Sequence, residues 1–132
     1  MLLCAASESV VSNVVFKRCR LYVETFSGKA VDYPVIGQKI NEFLKFKSES
    51  PIGQFGSSDK PFSGNGNFTK AIPDLRHAHL TGDIMIVYTI RGKNPTEFRL
   101  YGVFSHDELG IGQPSNPKKQ KSAAKRIGNQ DF

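Results

Sequence analysis

Leu75-Arg76-His77-Ala78-His79-Leu80, Ile84-Met85-Ile86-Val87-Tyr88-Thr89-Ile90-Arg91 and Phe98-Arg99-Leu100-Tyr101-Gly102-Val103-Phe104 decide the fold. Each run is dense in β-branched and aromatic residues, the types that fit a pleated, half-buried surface. Thr81-Gly82-Asp83 is a tight turn between the first two, and Gly92-Lys93-Asn94-Pro95-Thr96 is a loop between the second and third, which is the pattern of an antiparallel meander. Side chains alternate across a strand, so Ile84, Ile86, Tyr88 and Ile90 share one face and Met85, Val87, Thr89 and Arg91 the other. By the same alternation Arg99, Tyr101 and Val103 are expected opposite Phe98, Leu100 and Phe104. One face is expected to bury against a helix, leaving the other to carry a site.

Upstream, Val35, Ile36, Ile40, Phe43, Leu44 and Lys47 recur at the spacing of one helical face, with Pro34 suited to the first turn and Pro51 ending the segment. Residues 14–26 are rich in β-branched and aromatic types and predict a strand, and Gly28 to Pro34 reads as a turn region. From Ser48 to Pro73 there is no sustained period. Gly53, Gly56, Gly64 and Gly66 alternate there with Phe55, Phe62 and Phe68, which reads as a long loop whose phenylalanines pack onto the core rather than stack on bases. The expected fold is α+β: a small antiparallel or mixed sheet of about four strands packed with one or two helices.

A chain of 132 residues with 39% hydrophobic content supports one modest core. Its formal charge of +6 suits a polyanionic partner. The excess lies at the C-terminus, where residues 113–132 carry five basic side chains against one acidic. We therefore divide the chain into a domain over 1–112 and a basic tail over 113–132, expected to be a weak helix or a solvated end in which Lys118, Lys119 and Lys121 offer charge to phosphate. Cys4 and Cys19 have no metal spacing between them, and Met1 to Ala6 lacks the cationic and apolar regions of a leader. No apolar run of membrane-spanning length follows. A cytoplasmic protein with reduced thiols is expected, and a secreted disulfide scaffold or membrane span is not.

All three histidines, His77, His79 and His106, fall within or just after the meander. His77 and His79 project to the same side of one strand, Asp83 follows across the tight turn, and His106 begins His106-Asp107-Glu108-Leu109 directly after the last strand. Histidine titrates near neutral pH and suits proton transfer to phosphodiester oxygens. Arg76, Arg91 and Arg99 supply guanidinium groups for a phosphate whose charge rises in the transition state. RNA cleavage without a metal needs a base for the ribose 2′-hydroxyl, cations for the phosphorane-like state and an acid for the leaving 5′-oxygen, and these residues contain every type. Such types are common, and a His-x-His pair on a strand is by itself more often structural than catalytic.

Leu75 through Tyr88, followed by Arg99-Leu100-Tyr101-Gly102-Val103-Phe104-Ser105-His106-Asp107-Glu108-Leu109, resembles the YafQ-type branch of the RelE-like mRNA interferases within the RelE/ParE superfamily of toxins. The shared features are an arginine, a histidine on a strand, an acidic residue opening the next strand, a hydrophobic run ending in Tyr, and a final strand ending in His beside a short helix. The resemblance implies a RelE-like fold and an endoribonuclease that cuts mRNA in the 30S A site of the ribosome, leaving a 2′,3′-cyclic or 3′-phosphate, with no cofactor or metal. It implies acid/base roles for His79, Asp83 and His106, phosphate or RNA contacts from Arg76, His77, Arg91, Arg99 and the tail lysines, and an antitoxin as protein partner. Two positions depart from the pattern: Ile84 follows Asp83 in place of an aromatic residue, and Gly102 or a neighbour stands where an arginine is common. Arg99 or Arg91 is the expected replacement.

Two other readings fit the same residues. His77, His79, His106 and Asp83 combine imidazole and carboxylate in a way that suits zinc or iron. A non-catalytic RNA- or ribosome-binding module would use the tail and the Phe-bearing loop. The gyrase-directed activity of the ParE branch lacks a histidine constellation, so these residues speak against it.

Overall fold

A computed structural model describes residues 13–62 and 66–132. Cys4, the Met1–Ala6 start and Gly64 lie outside the described residues. The elements run β1 (Val14–Arg18), α1 (Arg20–Asp32), α2 (Val35–Glu49), β2 (Lys60–Pro61), α3 (Gly66–Ala71), β3 (Arg76–His79), β4 (Ile84–Arg91), β5 (Thr96–Ser105), α4 (His106–Leu109) and α5 (Pro117–Gly128). The fold is α+β, with one mixed sheet of five strands in the order β1-β5-β4-β3-β2. The expected meander is its centre, and β1 joins the open edge of β5 in parallel, with Phe16 opposite Phe98.

Residues 14–26 hold a strand only as far as Arg18; the rest is helix, and the turn expected over Gly28–Pro34 is displaced. Leu21, Tyr22, Thr25 and Phe26 fall at helical spacing, Tyr22 stacks on Phe26 at 6.0 Å, and Arg20 pairs with Glu24 one turn on. Val23, one of the β-branched residues of the expected strand, points outward, as does Val31 in the region expected to turn. Gly28 is accommodated inside the helix, and α1 stops at Tyr33, whose N–H bonds to the Lys29 carbonyl.

The predicted helix over 35–47 is present as α2 and buries Ile36, Ile40, Phe43 and Lys47, while Val35 stays exposed. Phe43 meets Tyr88 edge-on at 5.2 Å, which places α2 on the sheet face that carries Tyr88. Lys47 is buried because Asp59 accepts from its ammonium at 2.5 Å, and Asp59 also accepts from the Phe55 N–H and the Tyr88 hydroxyl. Burial alone would raise the Asp59 carboxyl; these donors outweigh it and hold the group below the usual carboxylate range. The segment read as a long loop is thus pinned, and it contains β2 and α3. Phe62 and Phe68 are buried, stacked at 4.6 Å, and Phe55 packs on Phe43, so the phenylalanines do face the core.

On β5 the expected alternation of faces is broken. A register shift between Val87 and Tyr88 pairs Val87 with Gly102 but Tyr88 with Leu100, leaving Tyr101 as the extra residue of a bulge. Beyond it the alternation reverses: Val103 shares a face with Phe98 and Leu100, and Arg99 shares one with Phe104. Most of β4 is buried on both sides, so neither face is open along its whole length.

The C-terminal segment is a packed helix among the described residues. Asn116 caps α5 by accepting from the Lys119 N–H, Pro117 occupies the first turn, and Ala123, Ala124 and Ile127 are buried in the common core. Gln130 then accepts from the Leu21 N–H at the start of α1, and Phe132 meets Tyr101 at 4.8 Å. The lysines are confined to the outer side by that apolar stripe.

Candidate active site

The site forms where the β3–β4 turn meets the end of β5. Thr81 shapes the turn, its hydroxyl accepting from the N–H groups of Asp83 and Ile84 at 3.3 and 3.0 Å. Asp83 stands at the rim. The pairing of Ile84 with Ser105 carries β5 past it, so that the next residue, His106, lies beside the carboxylate. Ser105 stops the strand and starts α4 with a reciprocal cap: its hydroxyl accepts from the Glu108 N–H, and the Glu108 carboxylate accepts from the Ser105 N–H. Lys29 of α1 bridges to Glu108 at 2.7 Å, fixing the cap from outside.

His106 is held on both sides. Asp83 Oδ1 lies 3.0 Å from its Nδ1 and accepts from its backbone N–H at 3.3 Å, while its Nε2 faces His79 Nε2 at 3.1 Å. His79 reaches this position from β3, opposite Met85, which is itself opposite Phe104. The result is a continuous chain of carboxylate, imidazole and imidazole. The hydrogen bond with His106 is the main reason that the Asp83 carboxyl sits below its ordinary value. Such a chain fixes the tautomer of the middle ring. Among the described residues His79 Nδ1 is buried without a hydrogen-bond partner.

The remaining predicted residues go elsewhere. His77 shares the face of His79 but is 7% exposed, packed 4.6 Å from the Phe62 ring. Burial, helped by repulsion from His79 and Lys60, brings its pKa down to about 4, so it is neutral near pH 7. The residue expected to contact phosphate is thus placed beneath the Phe62 ring. Arg76 points to the opposite face, donating to the Tyr88 hydroxyl at 3.3 Å and lying 3.6 Å from Asp59. Arg91 pairs with Asp74, and Arg99 with Glu97 at 2.5 Å. At ~3.3 Å per residue, Arg91 lies ~23 Å along β4 from Ile84, and Arg99, opposite Thr89, lies ~17 Å away. Both arginines are thus held by carboxylates toward the end of the sheet away from Ile84. At Gly102 itself a side chain would collide with the Phe104 ring and approach the Thr25 hydroxyl.

Lysines from α1 and α5 come nearer. Lys119 pairs at 2.8 Å with Asp107, the neighbour of His106, whereas Lys118 and Lys121 remain exposed. A cleft of about 450 Å³ opens alongside α4, lined by Lys29, Phe104, Glu108, Lys119, Ser122 and Arg126. Lys29 and Arg126 were not singled out from the sequence. Their signal was indirect: the Ser-x-x-Glu cap over Ser105–Glu108 was legible, but not the lysine that would pair with its glutamate. Among the described residues no three His, Cys, Asp or Glu side chains group closely enough to enclose a metal ion, so the four-residue metal site does not assemble.

No protein-family model matches the chain, and no curated protein does. Among solved structures, the YoeB/ParE toxin from Agrobacterium tumefaciens superposes with a TM-score of 0.56 over 70% of this chain and 98% of that one, at 13% identity. The chain shares the fold of that protein. At that identity the likeness establishes architecture alone, and the chemistry rests on the side chains described above. Among the described residues no helix is long and apolar enough to cross a membrane.

Proposed function

We propose that the protein is a toxin-like endoribonuclease that cleaves mRNA in the ribosomal A site of the 30S subunit by metal-independent acid/base chemistry. The observation that carries this is the Asp83–His106–His79 chain, with both facing nitrogens of the Nε2 type and 3.1 Å apart. In the working state the histidine pair holds one extra proton. His106, with Nδ1–H donated to Asp83, keeps a lone pair on Nε2 and takes the proton of the ribose 2′-hydroxyl. The 2′-oxygen bonds to phosphorus, the bond from phosphorus to the 5′-oxygen breaks, and His79 protonates that oxygen. The products are a 2′,3′-cyclic phosphate and a 5′-hydroxyl. Passage of the proton from His106 back to His79 across their contact restores the pair.

Residues 1–112 supply the catalytic unit in this reading, and residues 113–132 supply added cations. Lys119, with Lys29 and Arg126 across the cleft, steadies the phosphate; Lys118 and Lys121 hold the strand farther away. Arg76, Arg91 and Arg99 contribute only through the positive field. The YafQ-type arrangement of His79, Asp83 and His106 and the YoeB/ParE-like fold support a cytoplasmic toxin whose basic surface is covered by an antitoxin. The exposed lysines of α5 also favour a second reading, a non-catalytic RNA- or ribosome-binding module.

Primer extension on transcripts after brief induction separates the two. We expect new 5′ ends in the wild type and none with His106→Ala, while ribosome binding persists. Growth arrest with unchanged message lengths would count against cleavage, and loss of binding together with cleavage in the variant would count against a catalytic role.

A further inference from the structure

We infer that His79 and His106 form a zinc-binding pair, which takes Zn²⁺ between their facing Nε2 atoms and thereby silences the proton relay. The effect on activity rests on the ribonuclease reading; the binding does not. Two nitrogens 3.1 Å apart, each ~2.0–2.1 Å from a shared ion, subtend an angle of about 95–102° at the metal, between octahedral and tetrahedral values. The nitrogen spacing therefore suits bidentate chelation. Asp83 completes the arrangement from outside the coordination sphere. A metal-bound histidine normally donates its other ring N–H to a carboxylate, and Asp83 Oδ1 already stands 3.0 Å from His106 Nδ1. Imidazole nitrogen is a good donor for zinc and a poor one for magnesium or calcium, which sets the class of ion.

The proton count balances. In the neutral pair His106 carries its proton on Nδ1, and His79 moves its own from Nε2 to Nδ1 as the ion binds; the singly protonated pair releases one proton to solvent. Both Nε2 lone pairs then point at the metal, and none is left to accept from a 2′-hydroxyl. His77, whose ring centre is 5.9 Å from that of His79, is buried against Phe62 and stays outside the chelate. With two protein ligands the other positions go to water, so the ion is exchangeable and the pair acts as an inhibitory site.

The chain has three histidines, so zinc titration of the purified full-length protein by NMR follows three imidazole Hε1 signals. The signals of His79 and His106 should shift together, saturably and at one equivalent, with His77 unmoved and EDTA restoring the starting spectrum. His106→Gln should bind at least tenfold more weakly, and Asp83→Ala about 10–100-fold more weakly. No saturable shift, a shift of His106 alone, or unaltered affinity in His106→Gln would overturn the inference. So would a cobalt complex with a strong thiolate band, which would assign the ion to a cysteine. Zinc binding by a wild type that cuts no RNA would leave the chelate standing and remove the ribonuclease reading. Cleavage without these shifts would do the reverse.

Discussion

Two polar clusters sit on opposite faces of the same sheet and are built to opposite ends. Lys47, Asp59, Tyr88 and Arg76 form a closed cluster in which Lys47 and Asp59 are almost wholly buried and their charges meet several partners. Asp83, His106 and His79 form an open chain, with an exposed carboxylate at one end and a buried nitrogen without a partner among the described residues at the other. Burial of charge is tolerated when pairing is complete, and the closed cluster uses it to pin residues 53–59 to α2 and β4. The open chain has hydrogen-bonding capacity left over at a rim that solvent reaches. Perturbed titration marks both regions, so the distinction lies in saturation and access.

The sharpest way to break the comparison is Asp59→Ala, which strands the buried Lys47 ammonium and should cost about 3–5 kcal/mol in urea unfolding. A loss confined to RNA cleavage would reverse the roles assigned to the two clusters. His106→Ala should do the converse, lowering the cleavage rate about 10²–10⁴-fold in a single-turnover assay while the thermal midpoint stays near that of the wild type.

His77 sharpens the same contrast, because it lies on the site face yet belongs with the interior. Its pKa is about 4 in the folded chain against 6.5 ordinarily. Between those values the unfolded state binds more protons, so stability is complete above pH 6.5 and falls by about 3 kcal/mol as the pH drops towards 4. Urea titrations across that window should show the loss, and His77→Phe should flatten it. Asp59 adds a second acid-side loss, since its lowered carboxyl stabilises the fold above the ordinary carboxylate range and ceases to do so as pH falls through its folded value. The smallest effect is expected from Lys118→Ala: a salt-dependence slope for RNA binding shallower by about 0.7 for a single-stranded site, with cleavage of saturating substrate unchanged.

The meander and α2 were legible because their apolar residues repeat at the period of the element they form. The three histidines could likewise be placed near one another, since two share a strand face and the third follows the last strand. Within residues 20–32 the helix is hard to read because Val23 weighs toward strand by type although it is exposed and Gly28 weighs toward a turn; Leu21, Tyr22 and Phe26 hold the helix, and only the fold shows what they pack on. The basic residues were misplaced for a different reason. Arg76, Arg91 and Arg99 each have a nearby carboxylate, but Asp59 and Asp74 come from other segments of the chain, and no local pattern announces them.

By itself the sequence determined the α+β class, the order of the central strands and the row that holds His77 and His79, because these follow from short-range periodicity. Only the tertiary structure decided that His106 meets His79 and Asp83, that His77 is sealed beneath Phe62, and that Lys29 of α1 and Lys119 of α5 pair with Glu108 and Asp107 beside His106. Those outcomes depend on the β5 bulge, the capped turn at Ser105 and the packing of α5. Each joins residues far apart in the chain, so its energy appears only when the sheet is assembled.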